Sequence, residues 1–396
     1  MADIEEQGRG GRLPHLDNLR AVLVAWVIGG HALLGYSAVG GWAYDEVNEV
    51  NFAPATEFAL LAVLGPSGLF VMGVFFFVAG LFTERAVERR GRRRYARDRV
   101  ARLGLPWLVS ALLVWPASVW LAAVAAGREV SFWYVLGHRD PLLDSGSLWF
   151  ALVLMLFSLA FALSRPPVAG RPDRRPRPLR ASHLATAVVL IAVSSFVVRL
   201  WFPARSGQIL DLHLWQWPQC IGLFTLGVAA ARSGWHRHVP DHVRRTCGAV
   251  TLATLGLLPV LALATGLRDL GREATPYLGG WHWAALGTAT AEAVLVVAGS
   301  VWLVGLAEHR LGGGGRHAAG WARGAFVAFV IQGPVLMAVA SAGRPLDAPA
   351  EIKAPLVAAL AITLCFWLGR HLPLLAGRAP RAAPHPGPAV SAGGSR

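Results

Sequence analysis

The sequence predicts an all-α membrane protein: a polytopic bundle of about ten transmembrane helices with both termini in the cytoplasm. Three observations carry that expectation. The 396 residues are 55% hydrophobic and only 15% charged, with a mean hydropathy of +0.48, whereas soluble domains need about a quarter charged residues. Apolar runs near the ~20 residues that a spanning helix requires recur along the whole chain. The basic residues also gather on alternate sides of those runs, as the positive-inside pattern demands.

The runs, in order, are 18–38, 58–83, 103–126, 148–164, 183–202, 213–232, 247–266, 282–306, 325–343 and 354–375. The first follows a polar segment in which Asp17 or Asn18 is placed to cap a helix. The second, third, seventh and ninth contain Pro66, Pro116, Pro259 and Pro334, which are better tolerated in membrane helices than in soluble ones. The fourth stops at Arg165-Pro166-Pro167, the fifth carries Arg199 at its far end, and the eighth encloses Glu292. No internal repeat is visible, which weakens a transporter built from duplicated halves. Residues 1–375 therefore read as a single membrane domain. The segment 165–182 reads as an extended basic linker, and 376–396, small and rich in Pro and Gly, as a disordered cytoplasmic tail. The first twelve residues are polar and mixed in charge, so no cleavable leader is expected.

Alternating from a cytoplasmic N-terminus places 29 of the 37 basic and 10 of the 23 acidic residues inside, and 7 and 12 outside, with Arg199 and Glu292 within spans. The net +14 thus divides into +19 inside and −5 outside. This division explains a pI near 11.1 without a nucleic-acid partner. Cys220, Cys247 and Cys365 sit in or beside apolar stretches with no paired spacing, which argues for small buried side chains and against a disulfide scaffold or metal site.

The chemistry signal is in the first span. Arg20 and His31 are eleven residues apart, which puts them on one helical face roughly 16 Å apart along the axis. A cation thus lies near the inner headgroups with an imidazole above it in the bilayer. Arg20 alone reads as a positive-inside flank and His31 alone as an interhelical hydrogen-bonding group. Ionisable groups within spans nevertheless point to function, and a neutral buried His suits general-base work near pH 7. Glu292 must face the bundle, be protonated or find a partner, for which His31 is one candidate.

The segment LDNLRAVLVAWVIGGH (16–31) closely resembles the opening of the acyltransferase-3 family of integral membrane O-acyltransferases, whose first helix carries an Arg-x10-His pattern filled here by Arg20 and His31. Other segments fit in order. FVMGVFFFVAGLF (70–82) is similar to a second-helix segment ending Ser-Gly, with Ala79 in place of the serine before Gly80. RRYARDRVARLGLPW (93–107) resembles the arginine-rich start of helix three, matched by Arg99, Arg102 and Pro106. SLWFALVLM (147–155) and WQWPQCIGLFTLGVAAARSGW (215–235) resemble the later helices. One departure stands out: in AFVAFVIQGPVL (325–336), Phe329 and Gln332 occupy positions where a Tyr and a His are usual. The likeness leans toward a branch of glucan-succinylating membrane proteins.

The resemblance implies transfer of an acyl group from a cytoplasmic acyl-CoA, used as a donor substrate with no bound cofactor or metal, to a hydroxyl of a carbohydrate or secondary metabolite at the inner (plasma) membrane. It casts His31 as general base with Arg20 as its motif partner, and Glu292 joins them as a catalytic candidate on its position within a span alone. Arg99 and Arg102 become donor-phosphate ligands, although lipid-facing topology charge accounts for most of the nine arginines in 84–102. His213, Gln216 and Gln332 become acceptor-binding candidates, with Trp217, Gln219, His282 and Trp283 near them; interfacial anchoring is the rival reading of the aromatics. The Gly312–Gly315 run lacks a flanking strand and GK[ST], so it reads as a flexible turn. The alternative from another class is a proton-coupled transporter or flippase using His31 and Glu292 as a relay. A third reading is a fold that only senses or scaffolds.

Overall fold

Among the described residues, ten long helices, numbered in chain order, coincide broadly with the runs read from the sequence. They are α1 Pro14–Leu34, α2 Pro54–Arg90, α3 Arg92–Ala125, α4 Gly146–Ser164, α5 Ala181–Val198, α6 Trp217–Ser233, α7 Asp241–Ala264, α8 Trp283–Arg310, α9 Arg316–Gly343 and α10 Ala350–His371. The computed structural model describes residues 13–38, 42–164, 179–206, 212–235, 238–264, 275–313 and 316–372, and no strand occurs among them. The first twelve residues, most of the 165–182 linker, Gly314 with Gly315, and the tail lie outside those described. Seven of the helices (α2, α3, α4, α5, α8, α9 and α10) are long and apolar enough to cross a membrane. By contrast α6 has 17 residues, and α1 and α7 begin on charged turns holding Asp17 and Arg20, and Asp241, Arg244 and Arg245.

Burial orders the bundle. The apolar window of α8 is 67% buried, the highest among the candidate spans, whereas that of α5 is 17% buried. Accordingly α8 runs through the interior, packed by α1, α2, α5 and α7, and α5 lies at the edge with Val189, Leu190 and Val193 exposed. A large exposed apolar face needs a non-aqueous neighbour, which a bilayer supplies. On α1 the inner stripe is Leu16, Leu19, Leu23, Val24, Ile28 and Ala32, against α8, α9 and α10. Cys220, Cys247 and Cys365 are buried free thiols.

Two local features place the site. At the crossing of α2 and α6, a Cβ on Gly80 would strike the Phe224 carbonyl, and one on Gly227 would strike the Phe77 carbonyl. Only glycine permits backbones this close, which gives a packing reason for the Gly80 and Gly227 positions in the motifs above. In α3, π-helical turns span Val100–Gly104 and Ser110–Val114, just ahead of Pro106 and Pro116. Each proline lacks an N–H and crowds the carbonyl four residues back, and the wider turn absorbs both effects.

The start of α1 departs from the expected cap. The helix begins at Pro14, and its N-cap Leu13 has no side-chain bond to the helix. Asp17 pairs instead with Arg20, and Asn18 Nδ2 donates to the Leu311 carbonyl at 2.7 Å. Proline at the first helical position lacks the donor that a cap would serve, so both polar side chains are released for tertiary contacts.

Candidate functional site

Arg20, Arg99 and Arg102 converge on one cavity of about 350 Å³, joined there by Arg323 from α9. Its walls are aromatic and aliphatic: Phe75, Phe82, Phe150 and Phe329 lie among them, and Ala79 lines it at the position where the motif above usually carries serine. Arg20 sits over the Phe82 ring at 5.2 Å and Arg99 over the Tyr95 ring at 5.0 Å. Such faces hold a guanidinium without consuming its donors. The Arg20 side chain is 40% exposed and is 3.4 Å from Asp17. Arg102 rides the π-turn before Pro106. Four guanidiniums thus line one partly enclosed apolar cleft, and their forked donors are of the kind that suits phosphate or carboxylate oxygens.

His31 lines a second cavity of about 150 Å³. Its ring geometry follows from one amide. Gln332 is fully buried, and its Nε2 donates to the Phe329 carbonyl at 3.1 Å. The amide oxygen therefore faces the imidazole, 3.1 Å from Nδ1. An oxygen only accepts, so Nδ1 carries the hydrogen and Nε2 keeps its lone pair. Trp42 stacks on the imidazole with centroids 4.2 Å apart and planes 14° from parallel. Indole faces favour cations, so this stack favours the imidazolium that appears when Nε2 takes a proton.

Trp42 is held from two sides. It leans on Trp115 at 5.1 Å, whose Nε1 donates to Asp144 at 2.7 Å. The segment after it is clamped through Glu49, which accepts from Lys353 of α10, from Arg344 just past the end of α9 at 3.3 Å and from the Tyr44 hydroxyl at 2.9 Å. Burial pushes the Glu49 carboxyl up, but the hydrogen bonds from Lys353, its own backbone and Tyr44 outweigh that and hold it below the usual carboxylate range. Burial first, and then the Glu49 charge, push the Tyr44 hydroxyl up to about 12.

Phe329 belongs to both cavities. With Phe75 and Phe150 it forms a triangle of rings, with centroids 5.6 Å apart for Phe75–Phe150, 6.2 Å for Phe75–Phe329 and 5.7 Å for Phe150–Phe329. The arginine cavity and the His31 cavity are thus neighbours across one aromatic partition.

Glu292 lies elsewhere. Its partner is Arg199 at the end of α5, both being almost wholly buried, so the pairing with His31 considered above is not formed. The Arg199 guanidinium also faces the Trp215 ring at 5.2 Å. Among the acceptor candidates, His213 packs on Trp149 at 4.5 Å, and Trp149 lines the His31 cavity. His213 adopts φ +46, a left-handed conformation that costs a non-glycine residue free energy and recurs at functional sites. Gln216 and Gln219 are buried nearby in sequence, and Gln216 Oε1, Gln219 Oε1 and Nε2, and Trp215 Nε1 have no partner among the described residues. Trp283 is 88% exposed, which fits the anchoring reading. Gln332 touches His31 rather than an open surface. Sequence reasoning missed Trp42, Arg323 and the Arg199 partner of Glu292. Arg323 was visible only as inner-loop charge, and nothing in the local pattern marks Trp42.

A family model described as an acyltransferase domain matches residues 13–370. No curated protein and no solved structure matches the chain.

Proposed function

The chain belongs to the acyltransferase-3 family, and from that premise we propose that it is a multi-pass membrane O-acyltransferase drawing on a cytoplasmic acyl-CoA. In this reading all ten helices span the inner (plasma) membrane, both termini are cytoplasmic, and the arginine cavity opens to the donor side. The single observation that carries the proposal is the adjacency of two cavities, one ringed by Arg20, Arg99, Arg102 and Arg323 and the other holding a His31 ring with its Nε2 lone pair bare.

The steps follow from those groups. The arginines bind the donor's phosphates while its flexible arm carries the thioester past Phe329. His31 Nε2 removes the proton from an acceptor hydroxyl, and the oxygen attacks the thioester carbonyl. The carbon–sulfur bond breaks, the CoA sulfur takes the proton back from the imidazolium, and an ester and free CoA result. Gln332 Oε1 holds the tautomer and strengthens its bond as the ring becomes charged, while Trp42 stabilises that charge. The acceptor, a hydroxyl of a carbohydrate or secondary metabolite, approaches from the Trp149–His213 side, where the unpartnered Gln216 and Gln219 atoms are suited to hydroxyl recognition. Glu292 is assigned to the Arg199 pair and not to the chemistry. That pairing removes the proximity of Glu292 to His31 that a proton relay would use.

The test is His31→Ala at matched protein levels, read as the discrete acyl mass increment on glycans and small metabolites of cells with and without the gene. A general base contributes about 10²–10⁴-fold, so the increment should fall below detection. Transfer that persists in the variant would sink the mechanism.

A further inference from the structure

We propose that the cavity beside His31 is the acyl pocket of the donor, and that it selects an uncharged, apolar acyl group whose tail passes between α1 and α2 toward the lipid. The inference rests on the donor reading above and deepens it to a substrate class. All four arginines line the larger cavity and none lines the smaller one. With phosphates in the first and His31 in the second, the thioester lies at the Phe329 partition. The acyl group then has the His31 cavity ahead of it.

That cavity is apolar. Val27, Leu34, Leu64, Val71 and Met72 line it with two hydroxyls, Ser67 and Ser147, of which Ser67 is already engaged, donating to the Leu64 carbonyl at 3.0 Å and accepting from Trp26 Nε1 at 3.1 Å. An engineered apolar cavity of about this size holds a benzene ring, so roughly six carbons fit at about 150 Å³. No lysine or arginine lines it and its one ionisable group is His31, which must be neutral to act as base, so an acyl group ending in a carboxylate, such as succinyl, would bury a charge there without a cation to pair it.

The mouth lies between Trp26 of α1, which is 44% exposed, and Gly68 of α2, also exposed. A Cβ on Gly68 or Gly65 would meet nothing within 4 Å. Chains longer than the cavity therefore have an exit that keeps them in an apolar medium.

The experiment measures the affinity of the purified full-length protein for CoA and for unreactive thioether analogues of acetyl-, hexanoyl- and succinyl-CoA by calorimetry. Each methylene buried adds about four-fold, so the hexanoyl analogue should bind at least tenfold tighter than the acetyl one, and the succinyl analogue no tighter than CoA itself. In Gly68→Phe the ring occupies the mouth, and the hexanoyl-to-acetyl ratio should fall at least fivefold. A succinyl analogue bound as tightly as the hexanoyl one overturns the inference, and so does a hexanoyl analogue that gains nothing over acetyl. The wild-type series decides this even if Gly68→Phe fails to fold. Failure of CoA itself to bind removes the donor reading and this inference together, whereas CoA binding with no hexanoyl gain overturns the acyl pocket alone.

Discussion

Gln332→Leu removes the orienting hydrogen bond, together with the amide's own bond to the Phe329 carbonyl, with little change in side-chain volume. The wild-type amide accepts from His31 Nδ1–H at 3.1 Å and has no exposure to solvent. In the ground state such a bond contributes about 1 kcal/mol net, and when the donor becomes charged this rises to about 1.5–3 kcal/mol. The imidazolium forms only as the acceptor proton is taken, so the loss falls on the transition state. Only the difference from the ground state, about 0.5–2 kcal/mol, falls on kcat, and at 1.36 kcal/mol per tenfold in rate the expected fall is about 2- to 30-fold. The donor KM should hardly move, because Gln332 lines neither cavity. Gln332→Glu keeps an acceptor at Nδ1 and should remain within about tenfold of wild type in kcat. The assay is thioester consumption by purified protein on the acceptor identified by mass spectrometry, with melting curves to check that each variant folds. A kcat within twofold of wild type in Gln332→Leu, or a change confined to the donor KM, would refute the tautomer argument.

Three further outcomes are expected. Arg102→Gln and Arg323→Gln should each raise the donor KM about three- to tenfold, and by less at high salt, because both groups are partly solvent-accessible and screened; an unchanged KM would remove them from the donor site. Glu292→Gln leaves the Arg199 charge buried without its partner and should cost about 3–5 kcal/mol of stability, seen as a lower melting temperature; a loss of transfer per folded molecule greater than tenfold would return Glu292 to the chemistry. Glu49 titrates below its ordinary value of 4.5, so its clamp contributes stability that is fully present above that pH and is lost as pH falls through the folded-state value; melting temperature followed from pH 6 to pH 3 should drop less steeply in Glu49→Gln, and an equal slope would exclude the clamp as the cause.

Hydropathy and charge are properties of short windows, and they were legible without the fold. The ten helices appear where the apolar runs lie because a segment that cannot be hydrated must be helical to satisfy its own backbone. Arg20 and His31 were visible for the same reason: an ionisable group in such a run stands out against its neighbours. Arg99 and Arg102 were harder to single out, since nine arginines share their segment and only packing shows which of them line the cavity.

What sits beside His31 was decided by packing. Gln332 is 301 positions away in sequence, and Trp42 reaches the ring from a short loop clamped by Arg344, just past α9, and by Lys353 of α10. Glu292 illustrates the same limit from the other direction. Its burial was evident from its span, but its choice of Arg199 over His31 depended on how α5 and α8 meet. The sequence by itself determined the succession of apolar helices and the imidazole carried by the first of them, because these are sums over adjacent residues. Only the tertiary structure decided the tautomer, the two cavities and their shared Phe329 wall, because each arises where side chains from distant helices compete for the same few ångströms.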